Sequence, residues 1–140
     1  RVLIAGDGPE AELLETLIHR HRLEEIVVRL PWLDQPSEFY SAVDLVVIPS
    51  LFEGLPIVGM EAMFYRLRIV PSDVGGLPEI LPPSWLFPAG DKEKLLETML
   101  RVRASEAADI LDENHRFITT ERTQTRFADA FEAGLSALTR

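Results

Sequence analysis

Glu53 and Glu61 stand eight residues apart around the run Ser50-Leu51-Phe52-Glu53-Gly54-Leu55-Pro56-Ile57-Val58-Gly59-Met60-Glu61-Ala62-Met63. A helix opening near Leu55 puts Glu61 on one face with Ile57, Phe64 and Tyr65, where a carboxylate is costly unless something bonds to it. The hydroxyls of a ribose diol would serve, and so would a neighbouring backbone N–H or an Arg. Glu53 lies in the loop just before that helix, where the helix dipole stabilises negative charge. It reads either as a ligand contact or as a simple N-terminal charge. Two carboxylates also invite a general acid and base reading, but glycoside hydrolases draw theirs from a cleft that these spacings do not specify.

The elements that must hold this segment follow from hydrophobic periodicity. Val2 to Ala5 is a continuous apolar run ending in Gly6-Asp7-Gly8-Pro9, and Leu13, Leu14, Leu17, Ile18 and His21 then recur at helical spacing. Pro9 suits the first helical position, with Glu10 and Glu12 at the positive end and His19, Arg20, His21 and Arg22 at the other. Ile26 to Leu30 is a second strand, stopped at Pro31, and the loop Trp32 to Pro36 leads to a short helix from Ser37 through Val43. Leu45 to Ile48 is a third strand, apolar on both faces as a covered parallel sheet requires. The helix from about Leu55 to Leu67 follows, then Arg68 to Val70 as a fourth strand.

Ser72 to Pro83 is a Gly and Pro loop with one helical turn near Pro78 to Leu81, and Trp85 to Phe87 reads as a fifth strand. Asp91 caps a helix carrying Leu95, Leu96, Met99 and Leu100. Ser105 to about Phe117 and Gln124 to Leu138 close the chain as helices, the last with Phe127, Phe131 and Leu135 on one stripe. Alternation of strand and helix predicts an α/β fold, a Rossmann-like open parallel sheet of about five strands with helices on both faces.

At 140 residues the length fits one domain spanning residues 1 to 140. With no cysteine, neither a disulfide framework nor a Cys-rich metal site is available, and a reducing, cytoplasmic setting is the default. The 14 Lys plus Arg against 23 Asp plus Glu give a formal net charge of -9, which weighs against nucleic acid and anionic membranes as broad partners. No apolar run approaches the ~20 residues that cross a bilayer. Arg1 runs straight into a strand, so a missing N-terminal portion is expected.

In open parallel sheets, ligands sit beyond the carboxyl ends of the strands, where helix N-termini offer unpaired N–H groups to an anion. Gly6 to Pro9, Ser50 to Pro56 and Ser72 to Pro78 fall at such ends. Each alone is equally an ordinary strand-to-helix turn. The first is no GxGxxG fingerprint, since Ala11 stands where the last glycine belongs.

Taken together, these segments resemble the C-terminal, nucleotide-sugar-binding domain of the retaining GT-B glycosyltransferases of family 4, also called group 1. The resemblance runs over nearly the whole chain. Val2-Leu3-Ile4-Ala5-Gly6-Asp7-Gly8-Pro9 resembles the family's strand and GDGP turn, and Glu53-Gly54-Leu55-Pro56 with Glu61-Ala62-Met63 is similar to its E-x7-E signature. Ser72-Asp73-Val74-Gly75-Gly76-Leu77-Pro78-Glu79 resembles its DVGGxPE loop, and Phe87-Pro88-Ala89-Gly90-Asp91 its VPPGD turn.

The resemblance implies that Glu53 contacts the donor sugar or supports the developing charge, as the catalytic residue, and that Glu61 bonds the ribose. It implies that Gly54, Leu55 and Pro56 line the sugar and phosphate pocket through backbone, with Gly54 and Leu55 as donors because proline has no N–H. Gly8 joins them at the first turn, and Trp32 and Leu33 fall where the family receives the nucleobase. The implied donor is a UDP-, GDP- or ADP-sugar, with no metal and no cofactor. The implied partner is an N-terminal acceptor domain of a parent chain, which could also associate peripherally with the inner face of a membrane.

Three departures from the family pattern stand out. Arg66-Leu67-Arg68 replaces a G-x-P turn and reads as charge at the helix C-terminus. Pro71 is unusual at a strand end. The segment supplying an Arg and a Lys for the diphosphate would precede Arg1, and its strand would lie between the first and third strands. His19, His21 and His115 match no catalytic motif. Two competing readings use the same residues: a non-catalytic interaction module with the Glu pair as structural anchors, and a receiver-type phosphoacceptor domain suggested by Asp7, which lacks the paired acidic residues and Lys such a domain needs.

Overall fold

The computed structural model describes residues 1–123, 125 and 126. It divides into two compact units, one over Arg1–Phe39 and one beginning at Tyr40. The expected closing helix, with Phe127, Phe131 and Leu135, lies outside the described residues but for Thr125 and Arg126.

In the first unit, strand β1 (Val2–Ala5) pairs in parallel with β2 (Val27–Leu30), Val2 opposite Val27 and Ala5 opposite Leu30. The helix between them, α1, runs Ala11–Arg20, so Pro9 precedes it rather than opening it. The Gly8 carbonyl accepts from Ala11 N–H at 3.1 Å, and this turn consumes the residues expected as the first helical turn. α1 buries Ile18, whereas Leu13 is 53% and Leu17 39% exposed, so half of its apolar stripe faces outward. The helix ends with Arg22 in the left-handed region, at φ 55°, with Leu23 N–H bonded to the Ile18 carbonyl.

The short helix α2 (Ser37–Ser41) leads in sequence to the second unit, where β3 (Leu45–Ile48) and β4 (Arg68–Pro71) form another parallel pair. The four described strands therefore make two separate two-stranded ladders, and no described strand joins them. The expected fifth strand is a correction: Pro83–Trp85 is a turn of 3-10 helix, and Phe87 makes a single bridge to Ser72. Pro82, Pro83 and Pro88 carry no N–H, and Leu86 donates to the Pro83 carbonyl. Only Phe87, through Pro71 O and Asp73 N–H, is left to pair.

Helix α3 spans Ile57–Phe64, shorter than expected at both ends. Pro56, extended at ψ 127°, is its N-cap, so the helix cannot begin at Leu55. At the far end Arg66 sits at φ 54° with its N–H on the Met63 carbonyl, and Leu67 N–H reaches the Ala62 carbonyl, a Schellman closure with Arg in glycine's usual place. Arg66 pairs with Asp112 at 2.9 Å. Arg68 does not serve α3 at all. It donates to the carbonyls of Val102 and Ser105, both at 3.1 Å, capping the C-terminus of the next helix, α4 (Lys92–Ala104).

Asp91 caps α4 as expected, its side chain accepting from Lys94 N–H at 2.9 Å. The inward face is Thr98 and Val102 flanked by Leu95 and Met99, while Leu96 and Leu100 are each 58% exposed. Helix α5 (Ala108–Arg116) continues into a π turn over Phe117–Glu121. The core of the second unit gathers Met63, Ile69, Val70, Leu77 and Val102, all essentially without solvent contact. Each contributes roughly 1.5–3 kcal/mol by burial, and together they fix α3 on β3 and β4.

Candidate functional site

β3 ends at Ile48 and β4 at Pro71, both at the carboxyl edge of their parallel ladder. The loops that leave there are the Ser50–Pro56 and Ser72–Gly76 segments, and hydrogen bonds tie them together. Ser72, 1% exposed, donates its hydroxyl to the carbonyls of Ile48 and Ser50. Ser50 donates its own hydroxyl to Glu53 Oε1 at 2.8 Å. One carboxylate oxygen of Glu53 is thus held by a side chain whose backbone is held by Ser72.

The second loop closes on the first. Gly76 N–H donates to the Gly54 carbonyl at 2.7 Å. Gly75, at φ 70°, lies so near that a Cβ there would meet the Gly54 oxygen at 2.3 Å and the Glu53 oxygen at 2.8 Å. Only glycine meets both conditions, the left-handed backbone and the close approach. Gly59 has a similar reason: a Cβ on this mid-helix residue would lie 2.9 Å from Leu77, so its absence lets α3 seat against the turn that follows the Gly75–Gly76 loop.

Glu61 lies in the second turn of α3 and is half-buried. Its partner is neither a backbone N–H nor an Arg, the two protein groups the sequence left open, but Tyr40, whose hydroxyl donates to Oε2 at 2.7 Å. Oε1 takes no hydrogen bond among the described residues. Tyr40 is 4% exposed and stacks on Tyr65, ring centres 5.1 Å apart. Burial first, then the hydrogen bond and charge of Glu61, hold the Tyr40 phenol above its ordinary range, so it remains a donor.

Of the expected site residues, Glu53, Gly54, Leu55, Pro56 and Glu61 all lie on this loop and helix of the second unit. Pro56 is buried and Leu55 half-buried, and Gly54 is exposed. With Pro56 lacking an N–H, the N-terminal N–H groups of α3 begin at Ile57, 67% exposed, and Val58, 46% exposed. Gly8, Trp32 and Leu33 belong to the first unit. There Asp7 links their two loops, accepting from Trp32 N–H at 3.3 Å while facing Arg29 at 3.7 Å. Trp32 is 72% exposed, Gly8 is exposed and Leu33 half-buried, so the indole is a surface ring rather than a core one.

Tyr40, Ser50 and Ser72 are the residues that sequence reasoning did not assign. For Tyr40 a signal existed: a carboxylate on an apolar helix face requires a donor, and a tyrosine on a short neighbouring helix can be one.

Over residues 1–105 the sequence matches the family described as Glycosyl transferases group 1. It is 36% identical over 94 residues to the uncharacterized glycosyltransferase MJ1607 of Methanocaldococcus jannaschii, covering 63% of this chain and 24% of that protein. It is 34% identical over 112 residues to the sulfoquinovosyl transferase SQD2 of Arabidopsis thaliana, covering 74% of this chain and 22% of that one. Among solved structures it resembles Anabaena Alr3699/HepE in complex with UDP and glucose, with a TM-score of 0.82 and 21% identity over 96% of this chain and 40% of that one. The chain therefore spans about a quarter of these curated relatives' length. The structural likeness gives the fold, α/β and part of a GT-B architecture.

Proposed function

The chain belongs to the glycosyl transferases of group 1, and from that premise we propose that it is the donor-binding portion of an enzyme that moves a sugar from a nucleoside-diphosphate sugar to an acceptor hydroxyl with retained configuration. The observation that carries this reading is Glu61: a half-buried carboxylate fixed through Oε2, with Oε1 available for a ribose hydroxyl. Glu53 is the sugar contact and the catalytic residue, its carboxylate held by Ser50 beside the loop that Gly75 and Gly76 clamp.

In the transfer, the bond from the anomeric carbon to the diphosphate oxygen breaks, a bond to the acceptor oxygen forms, and the acceptor proton leaves with the diphosphate. Charge grows on the leaving group and on the sugar ring. Stabilisation of both is where preorganised dipoles contribute most. The N–H groups of Gly54 and Leu55 and those opening α3 at Ile57 and Val58 would meet the diphosphate, and Glu53 would face the oxocarbenium-like ring. Gly8 would line the donor site, with Trp32 and Leu33 beside the base. Donors of the UDP-, GDP- or ADP-sugar class fit this scheme, a UDP complex being known for the structurally similar HepE. The family resemblance implies no metal and no organic cofactor, and the nucleotide itself enters as part of the substrate.

No helix of the described residues is long and apolar enough to cross a membrane. With no cysteine and a net charge of -9, a cytoplasmic enzyme is proposed, reaching any membrane surface through other parts of its parent chain, which would also carry the acceptor site. The test is titration of the full-length protein with UDP-, GDP- and ADP-glucose. Saturable binding of at least one donor, weakened about tenfold or more by Glu61→Ala, is expected for a lost charge-assisted hydrogen bond. Unchanged affinity in that variant would remove the ribose role.

A further inference from the structure

We propose that Tyr40 is a positioning residue for nucleotide recognition: by donating to Oε2 of Glu61 it turns Oε1 toward the ribose and sets the preference for ribonucleotides over deoxyribonucleotides. This rests on the reading of Glu61 as the ribose contact.

The geometry carries the assignment. A glutamate has three side-chain torsions, and its last, about an sp3–sp2 bond, is broad. A half-buried carboxylate left to itself would therefore present its oxygens in many directions. The 2.7 Å bond from Tyr40 removes that freedom at one oxygen, and its length is that of a charge-assisted contact. The donor is itself rigid. Tyr40 has only two torsions, is 4% exposed, and is held by its stack on Tyr65, the planes 18° apart. Tyr65 is in turn set edge-on to Phe64, ring centres 5.3 Å apart at 83°. A chain of rings thus fixes the hydroxyl, and the hydroxyl fixes the carboxylate.

The kind of donor also matters. An Arg or Lys in Tyr40's place would orient Glu61 but cancel its charge and compete for its lone pairs. A phenol is neutral, so it brings no positive charge to offset the carboxylate's own and leaves it free to accept a bond from a sugar hydroxyl. Oε1, without a hydrogen bond among the described residues, is the acceptor this arrangement leaves for it.

The experiment compares the full-length protein with its Tyr40→Phe and Glu61→Ala variants. Each is titrated with whichever of UDP, GDP and ADP the wild type binds most tightly, and with the 2′,3′-dideoxy form of that nucleotide. Tyr40→Phe keeps the ring, the stack and the volume. It is expected to lower the ribo-to-dideoxy affinity ratio about tenfold, chiefly through the ribonucleotide, with the thermal midpoint within a few degrees of wild type. If Tyr40→Phe leaves the ratio unchanged while Glu61→Ala collapses it, the proposal fails and the ribose reading stands. A ratio unmoved by Glu61→Ala, or no saturable binding of any of the three nucleotides, overturns both. Equal loss for both nucleotides in Tyr40→Phe makes the tyrosine merely structural and also overturns the proposal.

Discussion

Gly75 lies against the Gly54 carbonyl so closely that a single methyl group would stand 2.3 Å from that oxygen. Backbone cannot yield there as a flexible side chain could, and the φ of 70° adds strain for any other residue. Gly75→Ala is therefore expected to cost about 2 kcal/mol or more. Because the obstructed oxygen belongs to the site loop, donor affinity should fall with stability. Urea unfolding and a donor titration of the same variant check both; an alanine variant as stable as wild type would show that the two loops are not clamped.

Arg66 supplies a second backbone test. It occupies the left-handed closing position of α3 and also pairs with Asp112, both side chains more than half exposed. Glycine relieves the backbone strain by about 1 kcal/mol, while the exposed pair is worth ~0–1 kcal/mol. Arg66→Ala loses the pair and keeps the strain. Arg66→Gly should thus be the more stable variant by about 1 kcal/mol, the reverse of the order inside a helix. An Ala variant equal to or above the Gly variant in thermal midpoint would contradict the assignment.

The two carboxylates were legible as candidates because their types and surroundings are local facts: an acid before a helix, and an acid on its apolar face. β1, β2, β3 and β4 were legible for the same reason, each apolar run being bounded by Gly, Pro or a helical pattern. Glu61 called for a donor, but which residue supplies it was not legible, since Tyr40 lies 21 residues away in sequence. Trp85–Phe87 failed as a strand because three nearby prolines outweigh its aromatic and apolar content. Proximity in sequence assigns Arg68 to α3, whereas its guanidinium reaches the carbonyl end of α4.

Ser50 and Ser72 should separate binding from chemistry. Ser50→Ala frees Glu53 Oε1 without touching Glu61, so kcat is expected to drop about tenfold, with donor affinity altered by less than about threefold. Ser72→Ala strips the hydroxyl from the Ser50 carbonyl, while the Ile48 carbonyl keeps the Ser72 backbone N–H, and it should lower stability by roughly 1–3 kcal/mol as well. Steady-state kinetics on the full-length enzyme distinguish these, and a Ser50→Ala enzyme with wild-type kcat would remove the proposed support of Glu53.

Tyr40 also predicts a pH dependence. Its pKa is raised in the folded protein by burial and by Glu61, so folding favours the protonated phenol. That contribution is fully present below the unfolded phenol value of about 10 and is lost as pH rises above it. Between pH 9 and about 11, wild-type stability should fall more steeply than that of Tyr40→Phe. Parallel curves in chemical denaturation across that range would show that the phenol does not ionise on unfolding as described.

The most direct measurement is a crystal structure of the full-length protein with its tightest-binding nucleoside diphosphate. A ribose hydroxyl is expected within about 3.2 Å of Glu61 Oε1, with Tyr40 still bonded to Oε2 and the diphosphate against the backbone N–H groups between Gly54 and Val58. A nucleotide whose ribose lies elsewhere, with Glu61 bonded only within the protein, would contradict this placement.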